Sequence, residues 1–211
     1  MQPRSGLTQA LHVDEADMAN LAALRERLRP QAADAGIHLT FLPFLVIAAA
    51  RALVEHPTLN ARLDPSGERP VPGEAVHVGI PVDTPSGPVT PVLRDAGGRE
   101  LFDVARSIQS LAAAARAGTL EAGLCVGPTF TVSNVGSVGG LFTAPLVAPP
   151  EVAILGLNRI HERPIVRDDH VVVRPMMYVS LAYDRRAVDG AEAARFASAF
   201  IRLIERPHAL A

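Results

Sequence analysis

The chain has 211 residues, 48% of them hydrophobic, and a formal net charge of -2. This length and hydrophobic content suffice for one large domain with a sizeable core, or for two small ones. The near-neutral charge gives no electrostatic case for binding nucleic acid or an anionic membrane. The longest apolar run, Phe41–Ala50, is about half of what a bilayer span needs. The N-terminus lacks the apolar segment of a signal peptide.

The inventory of reactive residue types narrows the chemistry further. Cys125 is the only cysteine, which excludes an intramolecular disulfide and any multi-cysteine metal site. Its expected role is that of a small buried hydrophobe in a reducing, cytoplasmic setting. Lysine is absent, so lysine Schiff-base chemistry and a P-loop lysine are excluded. We expect no metal site.

Two helices are predicted early in the chain. Apolar residues recur at three- and four-residue steps over Asp14–Ala35, which predicts a helix that stops at Gly36. A second helix is predicted from the N-cap Thr40 to about His56. It is apolar nearly all round, so we expect it to be buried. Residues 63–74 are rich in Pro, Gly, Asp and Glu and predict turns.

Strands dominate the rest of the chain, with two more helices between and after them. Val76–Val82 alternates as a strand does, residues 83–87 predict a turn, and Val89–Leu93 predicts another strand. An amphipathic helix is predicted over Glu100–Arg116, with Gly118 as its stop. The remaining predictions are four strands and a last helix: Phe130–Val132, Val152–Leu155, Val171–Val173, Tyr178–Ala182 and Ala191–Ile204. This mixture predicts a single α/β sandwich domain over residues 1–211.

Two segments stand out for the polar residues that they place at the ends of predicted strands. Residues 130–136 read Phe-Thr-Val-Ser-Asn-Val-Gly and residues 183–190 read Tyr-Asp-Arg-Arg-Ala-Val-Asp-Gly. Taken alone, Ser133 would be a turn residue and Asp189 the N-cap of the last helix. Together the segments resemble the active-site segments of the 2-oxo acid dehydrogenase acyltransferases, also called lipoamide acyltransferases. In that family the second segment normally reads Tyr-Asp-His-Arg-x-x-Asp-Gly, so Arg185 stands at the family's histidine.

The resemblance extends over nearly the whole chain. Residues 39–45, 59–61, 78–85 and 150–156 are similar to family segments and follow in the family's order. The spacing between Ser133 and Arg185 also agrees with the family. The run 133–140 is more similar to the branched-chain acyltransferases than to the pyruvate type. The family's lipoyl and peripheral-subunit-binding domains are expected to be absent from this chain.

The resemblance implies a fold, an assembly and a reaction. The fold would be the chloramphenicol-acetyltransferase-like two-layer α/β sandwich, in a homotrimer or a larger cage of trimers. The site would lie between subunits, with coenzyme A entering from one side and the lipoyl group from the other. The partners would be the lipoyl domain and the dehydrogenase subunits of the complex, and the reaction acyl transfer between dihydrolipoyl and coenzyme A.

The same resemblance assigns the site residues and leaves one role open. Ser133 would stabilise the oxyanion and Asp189 would support the site. The family's histidine is the general base, but the Arg185 guanidinium has a pKa above about 12 and cannot accept a proton near neutral pH. Arg185 would either pair with Asp189 or Asp184, or contact coenzyme A phosphates. His12 is the most interesting substitute base, although a lone histidine is more often a surface or core residue.

Three functions therefore remain in view. The first is that of a core acyltransferase that works without the histidine. The second is a catalytically inactive structural subunit of the same complexes, a role known for family members that lost the histidine. The third, acetylation of a small molecule as in antibiotic acetyltransferases, would need the same missing histidine and is the weakest.

Overall fold

The computed structural model describes residues 9–66, 69–136 and 139–210. In chain order its strands are β1 (Gln9–Asp17), β2 (Ala61–Leu63), β3 (Pro70–Pro72), β4 (Val78–Gly79), β5 (Val92–Leu93), β6 (Phe130–Asn134), β7 (Ala153–Arg167) and β8 (His170–Asp184). The helices are α1 (Ala19–Asp34), α2 (Leu42–Glu55), α3 (Leu101–Ala117) and α4 (Gly190–Glu205).

The main sheet has six strands in the order β1-β8-β7-β6-β4-β5. The inner pairs β4–β6 and β6–β7 are parallel, and the pairs β1–β8, β7–β8 and β4–β5 are antiparallel. The short strands β2 and β3 form a separate hairpin. The sheet is therefore mixed, and the long β7–β8 hairpin lies beside its centre.

One face of the sheet carries the core. Side chains of Val132, Leu155 and Leu181 share that face, because paired residues in neighbouring strands point to the same side. All three are fully buried, and α1, α2 and α4 contact the strands there. The arrangement of helices over one sheet face confirms the predicted two-layer α/β architecture.

The opposite face is covered by the chain segment around residues 143–147. The Gln9 amide donates to the Pro145 carbonyl at 3.0 Å, and the Val147 amide donates to the Gln9 side-chain oxygen at 3.0 Å. Beneath this segment the sheet presents small residues, Gly156 and the fully buried Ser180. The segment lies close to the sheet because no large side chain separates the two.

The N-terminal helix prediction was wrong in its first residues. Residues 14–17 belong to β1, and α1 begins only at Ala19. The strand forms because β1 pairs along its whole length with β8, from Gln9 opposite Asp184 to Asp17 opposite Met176. Pairing with a strand that is distant in sequence therefore overrides the local helical pattern.

The other helix predictions were confirmed with small shifts. The second helix is almost wholly buried, as expected, but its N-cap is Phe41 and not Thr40, and no side chain caps it. The third helix ends at Gly118, which adopts a φ of 68° as a C-terminal glycine does. The last helix begins one residue early, at Gly190.

The strand predictions gave the right places but the wrong lengths. Only Val78–Gly79 and Val92–Leu93 are ladder strands within the two predicted segments, and a single bridge joins Val82 to Val89. The region predicted as turns, residues 63–74, contains β3 and the last residue of β2. By contrast, β7 and β8 each run for 15 residues, far beyond the short predicted strands.

The described ranges contain neither a membrane-spanning helix nor a cluster of metal ligands. Within residues 9–66, 69–136 and 139–210, no helix is long and apolar enough to cross a membrane. In the same part of the chain, no group of three or more His, Cys, Asp or Glu side chains is arranged to hold a metal ion.

Candidate active site

The segment that holds Arg185 is a tight turn between β8 and α4. The Asp184 carboxylate, at the end of the strand, is buried and accepts a hydrogen bond from the Arg186 backbone N–H at 2.9 Å. The Arg186 side-chain Nε lies 3.0 Å from both oxygens of that carboxylate. The Ala187 and Val188 amides donate to the Asp184 carbonyl at 3.0 Å. The conformation of the turn is therefore fixed by Asp184 and Arg186.

Asp189 closes the turn as the N-cap of α4. Its Oδ1 accepts a hydrogen bond from the Glu192 backbone N–H at 2.8 Å, which satisfies one free donor of the first helical turn. The N-cap role predicted for Asp189 is thus confirmed. This role does not prevent a second one, because the residue is exposed and its carboxylate has further acceptor capacity.

The predicted ion pair between Arg185 and a nearby carboxylate was wrong for the chain that is described. Arg185 is exposed, and among the described residues it makes no hydrogen bond or ion pair. The physical reason is that both candidate carboxylates have other partners. Asp184 binds Arg186, and Asp189 binds the start of α4. The Arg185 guanidinium, which has no partner among the described residues, is therefore available to bind another molecule.

Ser133 lies near the end of β6, on the sheet face opposite the core. Its register partners are Gly156 in β7 and, one strand further, Ser180 in β8. Thr131 shares this face, because side chains alternate along a strand. Ser133 is half-buried, unlike the fully buried Ser180. Its hydroxyl therefore retains access to a ligand.

The residues after Ser133 are clamped to β7. The Val135 amide donates to the Leu157 carbonyl at 3.1 Å, and the Gly136 amide donates to the Asn134 side chain at 3.3 Å. A Cβ on Gly136 would lie 2.8 Å from the Asn158 carbonyl oxygen, which real Cβ atoms do not tolerate. Gly136 is needed for this close approach. Residues 137–138 of the branched-chain-like run lie outside the described residues.

A single chain does not bring Ser133 and Arg185 together. Two strand spacings separate Ser133 from its register partner Ser180, and four residues of β8 separate Ser180 from Asp184. At about 4.8 Å per strand and about 3.3 Å per residue, Asp184 lies roughly 16 Å from Ser133. Arg185 directly follows Asp184 in the chain, so it lies at a similar distance from Ser133. A site with both residues would need a second copy of the chain.

His12 does not approach Ser133 either. It lies in β1, three strands from β6, so the separation is about 14 Å. Its register partner is Leu181, whose side chain faces the helices, whereas Ser133 points to the other face. The His12 Nε2 atom is buried without a hydrogen bond, 3.9 Å from the Asp14 carboxylate. Within one chain, His12 cannot serve as the base for chemistry at Ser133.

A groove of about 650 Å³ opens beside the segment that follows Ser133. Its volume is in the range of small-molecule sites. The walls come from the start of α2, from residues 105–116 of α3, and from residues 157–160 of β7, where the pairing with β8 shifts its register. The lining is largely apolar, and its polar residues are His38, Thr40, Asp83, Gln109, Arg116, Asn134, Asn158 and Arg159. Ser133 and Arg185 do not line the groove.

Sequence reasoning missed a buried acid close to Ser133. Glu151 is only 6% exposed, and its carboxylate accepts a hydrogen bond from the Thr131 hydroxyl at 2.7 Å. Burial raises the pKa of Glu151 to about 7, against a smaller opposing effect of the Thr131 hydrogen bond and of the Arg62 charge. Thr131 lies two residues before Ser133 on the same face. The only sequence signal was an acid placed just before a buried strand.

A second acid missed from sequence joins α2 to α4. The Glu192 carboxylate lies 2.9 Å from the His56 Nδ1 atom and also binds Arg195 at 2.7 Å. The hydrogen bond with His56 lowers the pKa of the Glu192 carboxyl. His56 also packs edge-on against Phe196, with ring centroids 6.1 Å apart. This pair fixes the first turn of α4, which begins at the Asp189 cap.

Several known proteins that are similar in sequence to this chain belong to one group of enzymes. The model of the family "2-oxoacid dehydrogenases acyltransferase (catalytic domain)" matches residues 2–211. The chain is 43% identical over 199 residues to a Pseudomonas aeruginosa lipoamide acyltransferase component of the branched-chain alpha-keto acid dehydrogenase complex, covering 94% of this chain and 46% of that protein. It is 38% identical over 195 residues to the Bacillus subtilis dihydrolipoyllysine-residue acetyltransferase component of the pyruvate dehydrogenase complex, covering 92% and 44%. The chain thus spans less than half the length of these relatives.

Solved structures give the same picture. The Azotobacter vinelandii dihydrolipoamide acetyltransferase and the cubic core of a pyruvate dehydrogenase multienzyme complex each superpose with a TM-score of 0.92 at 37% identity, covering 96% of this chain and 83% of theirs. Chloramphenicol acetyltransferase superposes at 0.57 with 19% identity over 94% and 87%, which confirms the predicted fold alone. The fold, the extent of the match and the identities agree, and the chain belongs to the acyltransferase catalytic-domain family of the 2-oxoacid dehydrogenases.

Proposed function

We propose that this chain is the core acyltransferase of a 2-oxo acid dehydrogenase complex and transfers an acyl group between dihydrolipoyl and coenzyme A. The observation that carries this proposal is a match in spacing. The Azotobacter vinelandii enzyme was studied for the role of a serine, a histidine and an asparagine in its catalytic mechanism. There the histidine follows the serine by 52 positions, and the asparagine follows the histidine by four.

The same steps in this chain lead from Ser133 to Arg185 and from Arg185 to Asp189. This spacing supports the assignment of Ser133 as the oxyanion donor, and it supports our proposal that Arg185 replaces the histidine. It also supports Asp189 as the counterpart of that enzyme's asparagine. The exposed side of the Asp189 cap and the free guanidinium of Arg185 are both on the turn after β8. Arg185 and Asp189 thus supply one half of the site and Ser133 the other.

The two halves meet across a subunit boundary in this proposal. The separation of roughly 16 Å between Ser133 and the turn within one chain excludes direct cooperation there. We propose a trimer in which the turn of one copy faces Ser133 of the next, and a larger cage is a further option. Sedimentation equilibrium should give a mass of three chains or a multiple of three. A monomer at micromolar concentration would contradict the two-chain site.

The chemistry of thiol acyl transfer allows slow turnover without a histidine. Coenzyme A carries a thiol with a pKa near that of free cysteine, about 8.5, so a few per cent is thiolate at neutral pH. A nearby guanidinium favours the thiolate electrostatically. Ser133 would donate to the oxyanion that forms when the thiolate attacks the thioester. Arg185 cannot relay the proton, so we expect a rate about 10²–10⁴-fold below that of an enzyme with a base.

Restoring the histidine tests this assignment. Arg185→His should raise acyl transfer between acyl-coenzyme A and free dihydrolipoamide by about 10²-fold or more, because Ser133 and Asp189 are already in place. Ser133→Ala in the Arg185→His background should remove most of that gain. An Arg185→His chain that is no faster than the wild type would contradict the assignment of position 185.

We propose a branched-chain acyl specificity, tested by comparing isobutyryl and acetyl donors.

A catalytically inactive structural core subunit is the second candidate. One observation favours it, the guanidinium at the position where the spacing predicts the base. The wild-type chain would then form the trimer but transfer acyl groups no faster than its Ser133→Ala variant. A wild-type rate that depends on Ser133 would exclude this candidate.

A further inference from the structure

The carboxylate of Glu192, in the first turn of α4, is held by residues at the end of α2. The His56 Nδ1 atom lies 2.9 Å from its Oε1, and the Thr58 hydroxyl donates to the same oxygen at 3.3 Å. Since an ionised carboxylate only accepts hydrogen bonds, the ring nitrogen is the donor. Arg195 of the same helix donates to Oε2 at 2.7 Å. His56 and Thr58 follow α2, which is buried over most of its length, so they attach α4 to the core.

This arrangement leaves the N-terminal cap of α4 half formed. Asp189 and Glu192 have the spacing of a capping box, in which each side chain binds the backbone N–H of the other residue. The first bond is present, from the Glu192 N–H to the Asp189 carboxylate at 2.8 Å. The second is not made within the described part of the chain, where the Asp189 N–H has no partner. The contact with His56 therefore competes with completion of the capping box.

The His56 ring has a second contact, which leads to the strand of Ser133. It packs edge-on against Phe196, with ring centroids 6.1 Å apart. Phe196 packs in turn against Phe130, the first residue of β6, at 5.7 Å. Both phenylalanines are fully buried. The ring thus has a packing role that is distinct from the hydrogen bond to Glu192, and the two can be changed separately.

We propose that His56 and Glu192 are positioning residues for acyl transfer, because their hydrogen bond holds Asp189 in the orientation that the reaction uses. The inference rests on the proposed function, in which Asp189 belongs to the site. Without the bond to His56, the Glu192 carboxylate would be free to bind the Asp189 N–H and complete the capping box. The helix would stay capped, but the turn with Asp189 and Arg185 would move. A misplacement of about 1 Å can lower a rate by about 10²-fold.

Two substitutions of His56 separate the hydrogen bond from the packing. His56→Phe keeps a ring against Phe196 but has no donor, whereas His56→Asn keeps a donor near the Nδ1 position and loses the ring. The assay is acyl transfer between acyl-coenzyme A and free dihydrolipoamide in the Arg185→His chain. There His56→Phe should lower kcat about 10-fold or more and leave KM within about twofold, and His56→Asn should retain most of the kcat. The reverse order would overturn the inference.

Two further variants test whether the bond itself is responsible. Arg195→Ala is the matched control, because Arg195 binds the same carboxylate but lies on α4 and cannot attach that helix to α2. It should leave kcat unchanged. Glu192→Ala removes the bond from its other end, so adding it to His56→Phe should lower kcat no further than the larger single loss. Fully additive losses would overturn the inference.

Amide hydrogen exchange measured by NMR tests the inference without the reaction. In His56→Phe the completed capping box should slow exchange of the Asp189 N–H about 10-fold or more, whereas damage to the fold would speed it. Unchanged or faster exchange at Asp189 would overturn the inference. Slowed exchange, together with no Ser133-dependent transfer in either the wild type or Arg185→His, would contradict only the proposed function.

Discussion

Replacing Glu151, the buried acid that accepts a hydrogen bond from Thr131, should change how the stability of the fold depends on pH. In Glu151→Gln the side chain keeps an acceptor for the Thr131 hydroxyl but can no longer ionise. In the folded wild type, burial raises the pKa of Glu151 to about 7 from its ordinary 4.5. The folded state therefore binds the proton more tightly than the unfolded state does. This contribution to stability is fully present below about pH 4.5 and is lost as the pH rises through about 7.

The size of the effect follows from the two pKa values. The gap between about 7 and 4.5 corresponds to about 3 kcal/mol of unfolding free energy. Most of it should be lost between about pH 5 and about pH 8. Urea unfolding of the wild type and Glu151→Gln at one chain concentration measures it, because the other titrating groups are common to both proteins. Relative to the wild type, the variant should gain about 2–3 kcal/mol over this interval.

A second variant shows whether the Thr131 hydroxyl acts as proposed. Thr131→Val removes a hydrogen bond that favours the charged carboxylate, so the pKa of Glu151 should rise further and the loss of stability with pH should grow. A constant difference between wild type and Glu151→Gln at all pH values would refute the reasoning. It would mean that the carboxyl ionises as easily in the folded chain as in the unfolded one.

The remaining predictions concern the turn and the clamp around the proposed site, and all are measured as unfolding free energies in urea. Arg186→Ala should lower the unfolding free energy by about 2–3 kcal/mol, because it removes the bidentate partner of the buried Asp184 carboxylate. Arg185→Ala should change the unfolding free energy by no more than about 0.5 kcal/mol. Equal losses in the two variants would favour the Arg185 ion pair again. Asp189→Ala should cost about 1 kcal/mol and Asp189→Asn only a few tenths, since asparagine still caps the helix. Gly136→Ala should cost about 1–3 kcal/mol, because its Cβ would lie 2.8 Å from the Asn158 carbonyl oxygen; an unchanged stability would show that the clamp on β7 yields easily.

Local patterns predicted those elements that owe their form to local interactions. Helix α3 has a clear apolar stripe and a glycine stop, and its predicted and observed bounds nearly coincide. The last four residues of β1, 14–17, were assigned to a helix, because three of them are acidic as in a helical first turn and only pairing with β8 makes them a strand. In the outer part of the β7–β8 hairpin, only Val171–Val173 was predicted as a strand. Its partner residues 164–166 were missed for the same reason, since each strand depends on the other.

The candidate site shows the same division between local and long-range effects. The residue types of Ser133, Arg185 and Asp189 could be read from two short segments, and so could the N-cap role of Asp189. Their separation could not, because it depends on the order of strands in the sheet. The pKa of Glu151 was equally hidden. Its rise comes from burial in the folded chain, and the two residues that oppose the rise, Thr131 and Arg62, are distant in sequence.

The turn after β8 separates the residue proposed for chemistry from the residues that hold the backbone. Its shape is maintained by the Asp184–Arg186 contact on one side and by the Asp189 cap on the other, while the side chain at position 185 takes no part. Substitution there is consequently neutral for folding and subject to selection only through function. Two of the six arginine codons differ from a histidine codon by a single base. If position 185 has the role proposed above, one point mutation would exchange a catalytic subunit for a purely architectural one while the fold is kept.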